Sequence, residues 1–195
     1  LTFAPWAKNK AAAQKADGKI MLDTSPTNNI DSAFSAVDAS RTLVGKSDLE
    51  EAEDFTPWKT HLEGLEKLTV LDLSETQVGD AGLAHLSALT NLEDLNLWKT
   101  KISDAGLAHV KSLTKLRKLN LDDDGDITDL GVAQLATLGE LEFLHLGDTQ
   151  VSDEGLKGLK GLTKLKDLNV EFCANVSSKG IKELKSAIPG LKVKE

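Results

Sequence analysis

Leucines recur along this chain in a pattern that resets about every 24 residues. The form L-x-x-L-x-L-x-x-T-x-V/I first runs through Leu68, Leu71, Leu73, Thr76 and Val78. It returns at Leu92, Leu95, Leu97, Thr100, Ile102 and at Leu116, Leu119, Leu121, Asp124, Ile127. Two further copies run through Leu141, Leu144, Leu146, Thr149, Val151 and through Leu165, Leu168, Val170, Cys173, Val176. The five copies start 24, 24, 25 and 24 residues apart. In each, the L-x-L segment predicts a short strand, because alternate side chains of a strand point to opposite faces. A second signature follows: Asp80-Ala-Gly82-Leu83 with Leu86 and Leu89, Asp104-Ala-Gly106-Leu107 with Val110 and Leu113, then Asp129-Leu-Gly131-Val132 and Asp153-Glu-Gly155-Leu156. Apolar residues every third position behind an acidic residue predict a short helix, capped at its first turn by Asp or the preceding Ser/Thr. One repeat is therefore strand, turn, helix.

The flanks are less regular. Phe34, Val37, Ala39, Thr42 and Val44 fit the same template and predict a sixth, degenerate copy, continued by Leu49, Leu62 and Leu65, with about ten extra residues around Phe55, Pro57 and Trp58. Upstream, Pro5 to Ala16 reads as a helix closed by Asp17-Gly18, Lys19–Asp23 as a strand and Ser25–Asn29 as a turn. Residues 1–33 are expected to cap the stack and residues 34–195 to form the repeat domain. At the far end, Gly180, Ile181, Leu184 and Ile188 predict a last helix, followed by Pro189-Gly190 and a truncated strand, Leu191-x-Val193.

These motifs resemble the leucine-rich repeat family, in the ribonuclease-inhibitor-like branch that has a helix in each repeat, and the L-x-x-L-x-L-x-x-T-x-V-S-D-A-G-L form resembles short bacterial members. The resemblance covers roughly residues 34–195. It implies an α/β solenoid, a right-handed βα superhelix of about six repeats behind an N-terminal helix/strand cap, with a parallel sheet on the concave side and helices on the convex side. It also implies interaction work rather than catalysis.

Composition narrows this further. Apolar residues make up 40% of the chain and charged residues 28%, but there is no Tyr, and only 5 Phe, 3 Trp and one Met. The core must be aliphatic. A net charge of −8 argues against nucleic acid, whose binding gains affinity from a basic surface. The lone Cys173 excludes an internal disulfide and a cysteine-based zinc or iron–sulfur cluster. No apolar run approaches the ~18 residues of a membrane-spanning helix, and the first residues lack the charged-then-apolar layout of a signal peptide. The residues leave the compartment open, an extracytoplasmic setting (secreted or periplasmic) included. A monomer is expected.

Several features invite chemistry and are better explained by the repeat. Thr42, Thr76, Thr100, Asp124, Thr149 and Cys173 stand where the chain leaves each strand, and a small polar group there serves the turn; Cys173 then reads as a buried structural thiol. The glycine column Gly82, Gly106, Gly131, Gly155, Gly180 suggests close backbone approach, without a phosphate-binding motif around it. His61, His85 and His109 fall in one column, but adjacent helices ~8–10 Å apart cannot bring three ring nitrogens to one zinc. The run Asp122–Asp126 lacks the Glu of a calcium-binding EF-hand loop, having Ala133 instead, and reads as a solvated turn; weak divalent-ion binding there stays open. Asn175-Val-Ser177 is a formal glycosylation sequon.

The strand side chains that do not enter the core must face the concave side. The candidate partner-binding residues are Asp72, Asp94, Asn96, Trp98, Lys118, Asn120, Asp122, Phe143, His145, Asp167, Asn169 and Glu171, interspersed with Val70, Ser74 and Gly147. Trp98 and Phe143 interrupt a polar field and are the candidate anchors. Acidic residues outnumber Lys118, which favours a protein or peptide with basic or hydrogen-bonding groups. The expected function is a non-enzymatic protein-binding module without cofactor or metal; the alternative is a structural or cell-envelope spacer with no specific ligand.

Overall fold

The computed structural model describes residues 20–22, 42–45 and 68–195. Eight parallel strands lie side by side in sequence order: β1 (Ile20–Leu22), β2 (Thr42–Gly45), β3 (Val70–Asp72), β4 (Asp94–Asn96), β5 (Lys118–Asn120), β6 (Phe143–His145), β7 (Asp167–Asn169) and β8 (Lys192–Lys194). Among the described residues, five helices connect β3 to β8 in turn on one side: α1 (Asp80–Leu86), α2 (Asp104–Val110), α3 (Asp129–Gln134), α4 (Asp153–Gly158) and α5 (Ser178–Ala187). A further turn of tight helix continues α3 over Leu135–Thr137 and α4 over Leu159–Gly161.

Register follows the leucines. Leu71, Leu95, Leu119, Leu144 and Leu168 pair in one row, which continues to Val193 at one edge and to Leu43 and Ile20 at the other. A one-residue slip would turn every strand inside out, so the row is held wherever the leucines are buried. Each of those five leucines is at most 1% exposed. Above them, Leu83, Leu107, Val132, Leu156 and Ile181 close the interior from the helical side. The core is thus one unbroken aliphatic column between sheet and helices, as nearest-neighbour stacking requires.

The degenerate copy differs from its template. Its strand is β2, with Leu43 beside Leu71 and Thr42 beside Val70. The template had set Val37 opposite Leu71, so the strand lies six residues further along, and Thr42 belongs to the strand rather than to the turn column. Without leucines at the template positions, small and β-branched residues fit either frame. The strand foreseen in Lys19–Asp23 is β1. The expected helix over Pro5–Ala16, the turn at Ser25–Asn29, and Leu49, Phe55, Pro57, Trp58, His61, Leu62 and Leu65 lie outside the described residues.

The turns are stitched from one repeat to the next. Ser103, Thr128, Ser152 and Ser177 cap α2 to α5 with their hydroxyls, each accepting an amide hydrogen bond from the first turn. Each cap is itself gripped by the preceding repeat. Asp80, Asp104, Asp129 and Asp153 accept from the backbone amides of Ser103, Thr128, Ser152 and Ser177 at 2.7–2.8 Å, and from their hydroxyls at 2.5–2.6 Å. The glycine column is explained by the same carboxylates. A Cβ on Gly106, Gly131, Gly155 or Gly180 would stand closer than 3.0 Å to the aspartate oxygen of the repeat before it. The close approach expected there is made by a side chain rather than by backbone.

Candidate functional site

The helix-free face of the sheet carries the twelve candidate residues, and the structure sorts eleven of them into two depressions, Asp167 lining neither. The first is a basin of about 480 Å³ spanning β3 to β6; Leu71 and Leu119 border it only from beneath, their side chains being buried in the core on the other face. Seven candidates line it: Asp72, Asp94, Asn96, Lys118, Asn120, Phe143 and His145. The Lys118 ammonium lies 3.2 Å from Asp94 and 5.9 Å from the centre of the Phe143 ring. Phe143 is half-buried, held between the Lys118 and Asp167 positions of the neighbouring strands.

The polar column beside it is partly occupied with local work. Asp72, Asn96, Asn120 and Asn169 each accept a hydrogen bond from the backbone amide two residues ahead, at 3.0–3.2 Å. They terminate their strands as Asx turns. At His145 the column breaks, because an imidazole does not take that role. The Gly147 amide is satisfied instead by Asp122 of the preceding repeat at 2.5 Å. Asp122 also accepts from the Asn169 amide group at 3.2 Å and lies 3.6 Å from His145 Nδ1. That carboxylate raises the His145 pKa, against burial, which lowers it; Asp167 adds to the rise and Lys194 opposes it.

The second depression, about 170 Å³, sits at the C-terminal ends of the strands. Four candidates line it, Trp98, Asp122, Asn169 and Glu171, together with Asp123, Gly147, Asp148 and Phe172. The Trp98 indole donates to Asp123 at 3.0 Å, and the Lys99 ammonium stands 5.8 Å from its ring centre. Trp98 and Phe143, read together as one anchor pair in the sequence, thus belong to separate depressions.

Sequence reasoning missed Phe172 and the two lysines of β8. Phe172 is 83% exposed with φ of 63°, in the left-handed region that a bulky side chain rarely enters. Its counterparts Glu75, Lys99, Asp123 and Asp148 share that backbone conformation. The signal was present: one aromatic in a column otherwise charged. Lys192 and Lys194 flank the inward position Val193 and pair with Asp167 and Asn169, so they join this face; Lys194 reaches Glu171 at 2.5 Å. The face is less acidic at that end than the earlier count implied.

The remaining chemical candidates fall into place in the turns. Thr76 and Thr149 donate to the carbonyls of Leu73 and Leu146 at 2.7 and 2.6 Å. Cys173 is buried, with its sulfur 3.0 Å from the Leu146 carbonyl. Asp124 is 2% exposed; one oxygen accepts from the Thr100 amide and hydroxyl at 2.8 and 3.0 Å, and the other has no partner. Burial pushes its pKa up to about 7. Asp122–Asp126 is therefore not one solvated turn: Asp122 braces the sheet face, Asp123 holds Trp98 and Asp124 points inward. His85 and His109 end α1 and α2. Among the described residues no three His, Cys, Asp or Glu side chains are grouped to hold a metal ion. Nor is any helix among them long and apolar enough to cross a membrane.

The Leucine Rich repeat family profile matches residues 64–87 and 141–160. No curated protein sequence matches the chain. Among solved structures, internalin C2 (inlC2) of Listeria monocytogenes aligns with a TM-score of 0.62 at 24% identity, covering 89% of this chain and 69% of that one. Another internalin of that organism, inlF, aligns at 0.61 with 21% identity over 90% of this chain and 46% of its own. The yeast Rad7 and Elc1 complex contributes a chain aligning at 0.63 with 20% identity, over 78% of this chain and 42% of that one. The chain thus spans under half the length of two of these proteins. The fold is a leucine-rich-repeat solenoid.

Proposed function

We propose that this protein is a non-enzymatic binding module whose helix-free sheet face receives a protein or peptide. The observation that carries the reading is the basin over β3 to β6. It is a continuous depression of about 480 Å³ with Val70 and the half-buried Phe143 as its apolar side chains and a rim of Asp72, Asp94, Asn96, Asn120 and His145. A few apolar side chains with convergent polar groups around them are the usual form of a recognition site. Phe143 supplies the anchor and the acidic rim favours basic or hydrogen-bonding groups on the partner. Solenoids expose such surfaces as a consequence of stacking, and the similarity to the chain from the Rad7 and Elc1 complex, a protein in an assembly, is in keeping with that use.

Panning a random peptide library on the intact protein, with counter-selection on Phe143→Asp, tests this. Peptides that bind the wild type and lose affinity on Phe143→Ala, at unchanged melting temperature, support the reading. Failure to select any peptide sensitive to Phe143, Asp72 or Asp94 returns the chain to the spacer alternative.

A further inference from the structure

We propose that the depression between Trp98 and Phe172 is a pocket for a guanidinium group, an arginine side chain of the partner. The inference rests on the reading that this face meets a polypeptide, but it concerns a different pocket and different chemistry from the basin.

Two observations converge. The pocket is lined by two aromatic side chains and four carboxylates, Asp122, Asp123, Asp148 and Glu171, with no basic residue in its wall. Phe172 is the most exposed of the large apolar side chains among the described residues, at 83%, and it stands beside this opening.

The chemistry selects among cations. No three carboxylates group closely enough to hold a metal ion among the described residues, so the acids are spread rather than caged. A planar, delocalised cation suits that spread: its face lies on an aromatic ring and its forked N–H groups reach separate carboxylates. The Trp98 ring already attracts a cation, the Lys99 ammonium at 5.8 Å. Asp123 fixes the indole through its 3.0 Å hydrogen bond, so the ring is positioned before any partner arrives. Glu171 is shared with Lys194 on the protein's own surface, which leaves Asp123 and Asp148, both exposed, as the acids facing an incoming group.

The test is an NMR titration of the intact, ¹⁵N-labelled protein with an acetylated, amidated Gly-Arg-Gly peptide. Saturable shifts at the Trp98 Nε1–H and the Phe172 amide are expected, with affinity in roughly the millimolar range for one side chain. Phe172→Ala or Asp148→Asn should each weaken binding by about fivefold, and the lysine peptide should bind less well than the arginine peptide. Both substituted residues are exposed, so the fold is retained; unchanged spectra elsewhere confirm it. Equal binding of a citrulline peptide, equal binding of the lysine peptide, or indifference to Phe172→Ala overturns the proposal. The basin is scored separately: peptides selected through Phe143 that ignore Phe172 would sink this pocket and leave the proposed function standing.

Discussion

The carboxylate of Asp153 fills the space where Gly180 has no side chain. From there it accepts from the Ser177 amide at 2.7 Å and from the Ser177 hydroxyl at 2.5 Å, locking one repeat to the cap of the next. The three nearest atoms that a Cβ on Gly180 would meet all belong to Asp153. Gly180→Ala should therefore destabilise by about 1–3 kcal/mol through overpacking, although alanine favours a helix over glycine by about 1 kcal/mol. In an Asp153→Ala background the two closest atoms are gone and only the Cβ contact at 3.1 Å remains, so the same change should cost much less or become neutral. Urea unfolding of the two single variants and the double variant measures the coupling; additive effects would contradict the interlock.

The core row gives a sharper contrast. Leu119 is 1% exposed between Leu95 and Leu144, and Leu119→Ala should cost about 2–5 kcal/mol because the rigid stack cannot collapse into the cavity. Phe143 lies one residue from Leu144 on the opposite face, and truncating it should cost under about 1.5 kcal/mol. Comparable losses at both sites, measured by thermal unfolding, would mean that Phe143 is a packing residue rather than a free anchor.

The leucine row was legible because burial demands it at every repeat, and a strand's alternation then fixed the opposite face. The reason for Gly180 was not legible, because the residue that needs the space lies in the preceding repeat and acts through a side chain. Asn96, Asn120 and Asn169 were read as facing a partner. Their side-chain oxygens also hold the amides two residues on, a local use that alternation along the strand does not reveal. Phe172 was missed because strand alternation stops at Glu171, and its position depends on a left-handed turn. The β2 register was missed because Leu43 stands alone there, without the flanking leucines of the L-x-x-L-x-L spacing, with Ser40 and Gly45 in their places.

Asp124 makes stability depend on pH in the neutral range. Its folded pKa is raised to about 7 from the ordinary 3.8, so the folded state holds the proton more tightly than the unfolded chain. Its contribution is fully present below the lower value and is lost as pH rises through the upper one. Asp124→Asn keeps an acceptor for Thr100 and removes the charge. At pH 8 it should be more stable than the wild type by about 1–3 kcal/mol, and the advantage should shrink toward zero near pH 4. Urea midpoints at several pH values check this; parallel curves for the two proteins would refute it.

His145 and Asp122 provide a readout inside the candidate site itself. The Asp122 carboxylate, 3.6 Å from Nδ1, is the main cause of the raised His145 pKa. Asp122→Asn preserves an acceptor for the Gly147 amide but removes the charge, so burial, which lowers the pKa, should prevail against the weaker influence of Asp167. The His145 ring-proton titration followed by NMR should then move to lower pH. The folding contribution has the opposite sense to an aspartate's ordinary one: a raised histidine pKa stabilises below its unfolded value and the effect is lost as pH rises through the folded value. In the same window, protonation adds a positive charge to the rim of the basin. A basic peptide bound there should dissociate more readily on acidification through the His145 pKa, and His145→Gln should flatten that dependence. Binding that stays constant across the titration would show that the partner never approaches the imidazole.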